Sequence, residues 1–420
     1  MEGEKPGMKA GTLEQGHMRR LCLLCCMAYF MSYLTRLDYA ACMVEIQKSL
    51  QVGKDVVGLP VTACFASYGV GQLLCGFLGD RCRPQRMIFA GLLGSSVCNI
   101  LAAWLPWMEA VTLVWCMNGF FQSMLWPPMV RIMAQSMDEA WYRRSCVLVS
   151  MASAAATILI YLCVPLCIRF SGWKTVFFLA AFLGAAASFV WIALTGKLEC
   201  GRKPEGTEKG EEAGNGGDGK ARSGGFFGGA PMVPILLAIA LHGILRDGII
   251  TWMPTYMSEV FGMSSSGSIL SAVALPICSV FSTLVASWLL QRLRSELVTG
   301  TVLFGTGALG GAVLLVFYNV SPAVCISMMT LITGCMYGVN LMLISRVPGH
   351  FARLGNVAAV SGILNAATYV GSSFSASSFG AVAENTGWLQ VVLAWVACAV
   401  LGTLLLLSGI RRWNVFCRKT

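Results

Sequence analysis

Apolar positions in this chain come in long runs, separated by short clusters of charge, proline and glycine. Cutting at those clusters leaves twelve stretches, near residues 21–43, 57–79, 87–106, 110–132, 145–169, 174–195, 232–257, 267–290, 298–319, 323–345, 356–383 and 388–410. A helix needs about 20 residues to cross a hydrocarbon core, so each stretch predicts one transmembrane helix. The predicted fold class is all-α integral membrane, with twelve spans. One segment breaks the rhythm: from about Cys200 to Ala230 the chain mixes glycine with charges of both signs. It cannot bury a core and reads as a flexible linker. The expected organisation is a tail at 1–20, a six-helix bundle at 21–195, the linker at 196–230, a second six-helix bundle at 231–410 and a tail at 411–420.

Composition agrees, with 56% hydrophobic and only 12% charged residues, about half the charged share of an ordinary soluble domain. The distribution of charge adds orientation. Of the 30 Lys and Arg, Lys48, Lys54, Arg169 and Lys174 fall in odd-to-even loops and Arg36 and Arg246 lie inside spans; the rest occupy the tails, the linker and the even-to-odd loops. That asymmetry is the positive-inside pattern and puts both termini in the cytoplasm, with the chain in the cytoplasmic membrane. The net charge of +10 then belongs to loops facing anionic lipid and gives no reason to invoke nucleic acid. Eighteen cysteines are scattered through the apolar runs without the spacing of a disulfide framework or a zinc site, so no metal is expected. The polar start runs to Arg20, and the apolar stretch after it lacks a small-residue cleavage site, so no cleavable signal peptide is expected.

Arg36 and Arg246 are the residues that point to chemistry. Each sits deep in the first apolar span of its half, where a permanently charged guanidinium costs roughly 2.5 to 3.5 kcal/mol on insertion scales. Two halves that each direct one arginine into a shared polar cavity would present an anion with both. Catalysis has no comparable signal: His17, His242 and His350 are the only histidines, and no HExxH, nucleophile elbow or GxxxxGK[ST] phosphate loop occurs. No catalytic residue and no cofactor is expected.

Motifs narrow the class. Gly76-Phe77-Leu78-Gly79-Asp80-Arg81, followed by Arg83, Pro84 and Arg86, resembles the loop between helices 2 and 3 of the major facilitator superfamily. There a helix-end carboxylate and basic residues can hold one gate state through ionic contacts. At the equivalent place in the second half, Gln291 stands where the acid would be. Three stretches resemble a narrower group, the organophosphate:phosphate antiporter family of glycerol-3-phosphate and hexose-phosphate transporters. They are Tyr33-Leu34-Thr35-Arg36, Gly119-Phe120-Phe121-Gln122-Ser123-Met124-Leu125-Trp126-Pro127-Pro128, and Leu245-Arg246-Asp247-Gly248-Ile249-Ile250-Thr251-Trp252-Met253-Pro254-Thr255-Tyr256. With Tyr68-Gly69 and Gly172-Trp173, the resemblance follows the whole chain in order. It implies the major facilitator fold of two six-helix bundles and exchange of an organophosphate for inorganic phosphate. Arg36 and Arg246 would bind the phosphate, Tyr33, Tyr68, Tyr337 and Tyr369 would line the cavity, and Gln122 would join the substrate ligands. The partners implied are a small anionic substrate, inorganic phosphate and the bilayer, with the protein a monomer.

Departures from the family bear on substrate. Gln72 replaces a lysine of the glycerol-phosphate members, and their helix 5 histidine falls in Ser150-Met151-Ala152-Ser153-Ala154, which has none. Asp38 and Asp247 lie close to the two arginines where those members are neutral. Each is expected to balance its arginine, with proton coupling as the alternative. His242, one turn before Arg246, is a candidate stand-in for the missing histidine. Two other functions stay open at this point: a proton-coupled organic-anion permease and a transporter-like sugar-phosphate sensor.

Overall fold

The computed structural model describes residues 6–78, 82–196, 230–354 and 357–419. Among them there is no strand. The first half comprises α1 (Pro6–Leu50), α2 (Lys54–Val57), α3 (Leu59–Leu78), α4 (Pro84–Trp104), α5 (Met108–Ser123), α6 (Trp126–Ser136), α7 (Glu139–Ser171) and α8 (Lys174–Thr195). The second comprises α9 (Met232–Phe261), α10 (Ser265–Ser271), α11 (Ala274–Leu293), α12 (Glu296–Phe317), α13 (Pro322–Asn340), α14 (Val357–Asn385) and α15 (Trp388–Lys419). After α13 the chain continues through a π-helical turn, Leu341–Arg346, and a 3-10 stretch, Val347–Leu354. Among the described residues ten segments are long and apolar enough to cross a membrane by length and composition. The other two predicted spans are α5–α6, which is broken, and α14, which is rich in Ser, Ala and Gly. Together they make the twelve-span fold.

Helix ends follow local chemistry. Pro127 and Pro128 carry no N–H, so the predicted span 110–132 breaks. Met124 N donates to Phe121 O and Leu125 N to Gln122 O, a tight turn between α5 and α6. The span 267–290 breaks the same way before Pro276: Ala272 N and Val273 N make three-residue bonds between α10 and α11. Asp138 caps α7 by accepting from Trp141 N at 2.7 Å. Two predicted tails are largely helical, since α1 begins at Pro6 and α15 runs to Lys419. Hydropathy marks where lipid ends, whereas the hydrogen-bond ladder continues through good helix formers such as Glu, Met, Arg and Lys. The predicted linker, apart from Gly196 and Ala230, lies outside the described residues, as do Asp80 and Arg81 of the gating loop. Arg83 and Arg86 are exposed at the start of α4, just after Gly76 and the end of α3.

Within the first half α3 packs on α5, α4 on α8 and α1 on α7; within the second α9 packs on α14, and α12 on α13 and α15. Gly119 shows how close these approaches are: a Cβ there would lie 2.2 Å from the Cys64 carbonyl oxygen of α3. Large apolar side chains cover the outer faces, Phe170, Phe182 and Leu309 each being more than 70% exposed, as suits helices solvated by lipid. Near one end of the second half, His350 Nε2 meets Glu296 Oε1 at 2.9 Å and Trp413 Nε1 donates to Glu296 Oε2 at 3.2 Å, fastening α15 to α12.

The halves meet along α3 and α14, α7 and α10, and α1 and α9. They are tied by ions at the end where α1 gives way to α2. Lys54 Nζ lies 3.0 Å from Glu259 Oε2 and 3.3 Å from Glu384 Oε2, Lys54 N donates to Glu384 at 3.1 Å, and Trp388 Nε1 donates to Glu259 at 2.8 Å. Beside them Gly380 lets α14 reach the chain at Lys54, where a Cβ would stand 2.4 Å from the Lys54 carbonyl oxygen.

Candidate substrate-binding site

Arg36 on α1 and Arg246 on α9 are brought to one place by the packing of those first helices across the interface. The Arg36 guanidinium carbon sits 4.5 Å from the centre of the Tyr33 ring and 5.2 Å from that of Tyr68. That of Arg246 sits 5.7 Å from the Tyr337 ring. Tyr68 and Tyr369, from opposite halves, meet edge to face at 4.7 Å. Tyr33, Tyr337 and Tyr369 each lie within electrostatic reach of both arginines. A cation over an aromatic face gains about 0.5 to 2 kcal/mol depending on desolvation, which offsets part of the cost of each buried charge.

The arginines differ in how they are partnered. Arg246 Nε donates to Asp247 Oδ1 at 2.7 Å and Nη2 to Oδ2 at 2.9 Å, a two-pronged pair in which both side chains are nearly buried. Ser372 Oγ adds a third bond to that carboxylate, at 2.5 Å. Three of the five guanidinium N–H groups remain for another acceptor. Among the described residues Arg36 has no carboxylate within salt-bridge distance, and its buried Nε donates to nothing. Among Arg36, Arg246 and Asp247 the balance is one positive charge, on Arg36.

This corrects the expectation that each Asp balances its Arg. Asp247 does so, but Asp38 is fully buried with Oδ2 unpartnered, while Oδ1 accepts from Tyr39 N at 2.9 Å. Residues two apart on a helix point to different faces, which keeps Asp38 from Arg36. Gln122 is tied to its neighbours. Its Oε1 accepts from Ser32 Oγ at 2.6 Å, and its Nε2 donates to Thr35 Oγ1 at 2.9 Å and Ser95 Oγ at 3.0 Å. Both its N–H donors and one lone pair of its oxygen are used in holding α5 to α1 and α4. His242 is fully buried near Arg246 and Asp247, approached by the Ile239 and Met336 carbonyls, yet neither ring nitrogen forms a hydrogen bond.

The structure adds residues that sequence reasoning passed over. Tyr29, one turn before Tyr33, stacks at 5.2 Å on its ring and at 5.0 Å on Trp126. Tyr161 of α7 lies near Tyr337 with its hydroxyl unpartnered. Asn365 Nδ2 donates to Gln72 Oε1 at 2.6 Å, and Gln72 Nε2 donates to the Tyr68 hydroxyl at 2.7 Å. That polar chain joins α14 to α3 across the halves. The helical spacings of Tyr29 from Tyr33 and of Asn365 from Tyr369 were the available signals.

Helices with one face to lipid, two six-span halves and a buried cationic site between them define a membrane transporter, and the chain belongs to the Major Facilitator Superfamily, whose family model matches residues 21–376. Its curated relatives are those of the organophosphate:phosphate antiporter family, as the motifs imply. The glycerol-3-phosphate transporter of Bacillus subtilis is 26% identical over 89% of this chain and 88% of that protein. The membrane sensor protein UhpC of Salmonella typhimurium is 24% identical over 93% and 90%, and a probable hexose phosphate transport protein of Chlamydia pneumoniae 23% identical over 92% and 89%. Among solved structures, a peptide transporter POT in complex with sulfate superposes with a TM-score of 0.73 at 15% identity, covering 94% of this chain and 95% of that one. It supports the fold alone.

Proposed function

We propose that this protein exchanges a small organophosphate, a sugar phosphate or glycerol phosphate, for inorganic phosphate by alternating access across the cytoplasmic membrane, with both termini in the cytoplasm. The observation that carries the reading is the pair of buried guanidinium groups, one per half, sharing one group of tyrosines. Planar N–H forks suit phosphate oxygens, and one anion held by both would draw the halves together. Arg36 supplies the uncompensated charge; Arg246 contributes the N–H groups that Asp247 leaves free. Tyr33, Tyr68, Tyr337 and Tyr369 offer hydroxyls for the remaining oxygens and for the organic part. One chain holds both arginines, so a monomer suffices. The ties at Lys54 would break and re-form as the outer side opens and closes, which is the rocking of one bundle against the other. The names of the relatives support the substrate class.

The test is phosphate exchange in proteoliposomes with Arg36→Lys and Arg246→Lys. Lysine keeps the charge and loses the fork, so each variant should fold in the membrane and lose exchange at least ten-fold. Near-normal exchange by either would overturn the clamp. In the wild type, stimulation by internal phosphate supports exchange, strict dependence on a pH gradient points to the permease, and binding without flux to the sensor.

A further inference from the structure

Three oxygen atoms buried around one turn of α1 have no donor. Asn99 on α4 and Asn118 on α5 both direct their amide nitrogens at the Thr35 carbonyl, at 2.9 and 3.0 Å, and Asn99 Nδ2 also reaches the Ser95 carbonyl at 3.0 Å. A carbonyl only accepts, so neither amide can be turned round. Their Oδ1 atoms are therefore the lone-pair ends, and neither is hydrogen bonded. Each sits on the amide group whose nitrogen touches the Thr35 carbonyl. Asp38 follows three residues after Thr35, on the same face of α1. Its Oδ1 takes the Tyr39 N–H, the same amide that a regular helix gives to the Thr35 carbonyl, and its Oδ2 has no partner. Asp38, Asn99 and Asn118 are all 0% exposed.

A buried acceptor without a donor is costly, and this cluster holds three, one of them on a carboxylate. The nearest cation in sequence, Arg36, lies on another face of the helix and is directed at Tyr33 and Tyr68. We propose that Asp38, Asn99 and Asn118 form a site for an alkali-metal cation behind the substrate cavity. All the ligand atoms are oxygens, which select a hard cation. A single carboxylate balances one positive charge, whereas Ca2+ and Mg2+ sites use more carboxylates or retained waters. The site lies wholly in the first half, on the helix that carries Arg36, so an occupying ion would stiffen the segment that presents the anion-binding arginine. A transmembrane cation gradient would then couple to anion affinity.

This goes beyond the exchange reading and does not rest on it, because cation binding is measured with no phosphate present. Full-length protein in detergent is titrated with Na+ at fixed pH and ionic strength, with choline as the replacement, following both binding of radioactive Na+ and thermal unfolding. Saturable binding near one ion per protein is expected, together with an unfolding temperature that rises with Na+. D38N should lose both responses, because it removes the charge and can donate to an asparagine oxygen itself. Absence of saturable Na+ binding by the wild type, or equal binding by D38N, overturns the site. A wild-type stability indifferent to Na+ but responsive to pH also overturns it, since the missing donor is then a proton on Asp38. Should D38N fail to fold, the wild-type titration decides alone.

Discussion

Replacing Asp247 by Asn is expected to loosen the empty protein and to tighten its hold on phosphate at the same time. The carboxylate receives two N–H bonds from Arg246, at 2.7 and 2.9 Å, and one from Ser372. Breaking a buried pair by removing one charge costs about 3 to 5 kcal/mol. The amide keeps one acceptor for the guanidinium, which places the loss near the low end, about 3 kcal/mol. In the presence of phosphate the balance reverses, because the anion takes the place of the missing carboxylate. One additional charge-assisted bond contributes about 1.5 to 3 kcal/mol, and each 1.4 kcal/mol is ten-fold in affinity. Phosphate should therefore bind D247N roughly ten- to a hundred-fold more tightly than wild type, and release should slow. The assay is thermal unfolding with and without phosphate, equilibrium phosphate binding, and turnover in proteoliposomes. An equal fall in unfolding temperature in both conditions, with phosphate affinity unchanged or weaker, would refute the placement of Arg246 against the anion.

Two further substitutions test other parts of the structure. K54E puts a third carboxylate beside Glu259 and Glu384. Losing pairs whose Glu384 partner is 42% exposed costs about 1 kcal/mol and the new repulsion adds a similar amount, so exchange should slow roughly five- to 30-fold, with K54R close to wild type. Wild-type turnover by K54E would show that the outer tie has no part in the cycle. Q122A removes three buried side-chain bonds and should cost about 3 kcal/mol of stability, while the KM for phosphate in the folded fraction stays within two-fold of wild type (an order-of-magnitude bound for a packing residue). A large rise in KM would return Gln122 to the substrate ligands.

Much of the fold was legible in the sequence because membrane insertion imposes a length rule on every span. The predicted span 174–195 coincides with α8. The misses arose where hydropathy carries no signal: the proline-driven breaks in the fourth and eighth spans, and the helical continuations past Arg20 and Trp413. At the site, the two arginines stood out because a charge in an apolar run is rare, and Tyr33 followed from the family resemblance. Asp38 and Asp247 read alike as acids near an arginine, yet one pairs and the other does not. Which face an acid takes depends on its exact offset and on the neighbouring helices. Gln122 had the opposite problem. A polar residue in a span serves packing or ligand equally well until its partners, Ser32, Thr35 and Ser95, are seen together.

The unequal partnering of the two arginines bears on how such a carrier avoids leaking. To turn over empty, the protein must pass through an occluded state in which both sides are shut and the cavity is narrow. Arg246 enters that state already matched with Asp247, but the Arg36 guanidinium would enter it with no carboxylate paired to it, held by Tyr33 and Tyr68. A charge sealed in a low-dielectric interior without a counter-ion raises the energy of that state by several kcal/mol. An anion on Arg36 removes the barrier, whichever side it came from. On the proposed exchange, idle reorientation would be suppressed and loaded reorientation permitted, so one-for-one swapping would need no separate latch: it would follow from leaving one of two positive charges unmatched.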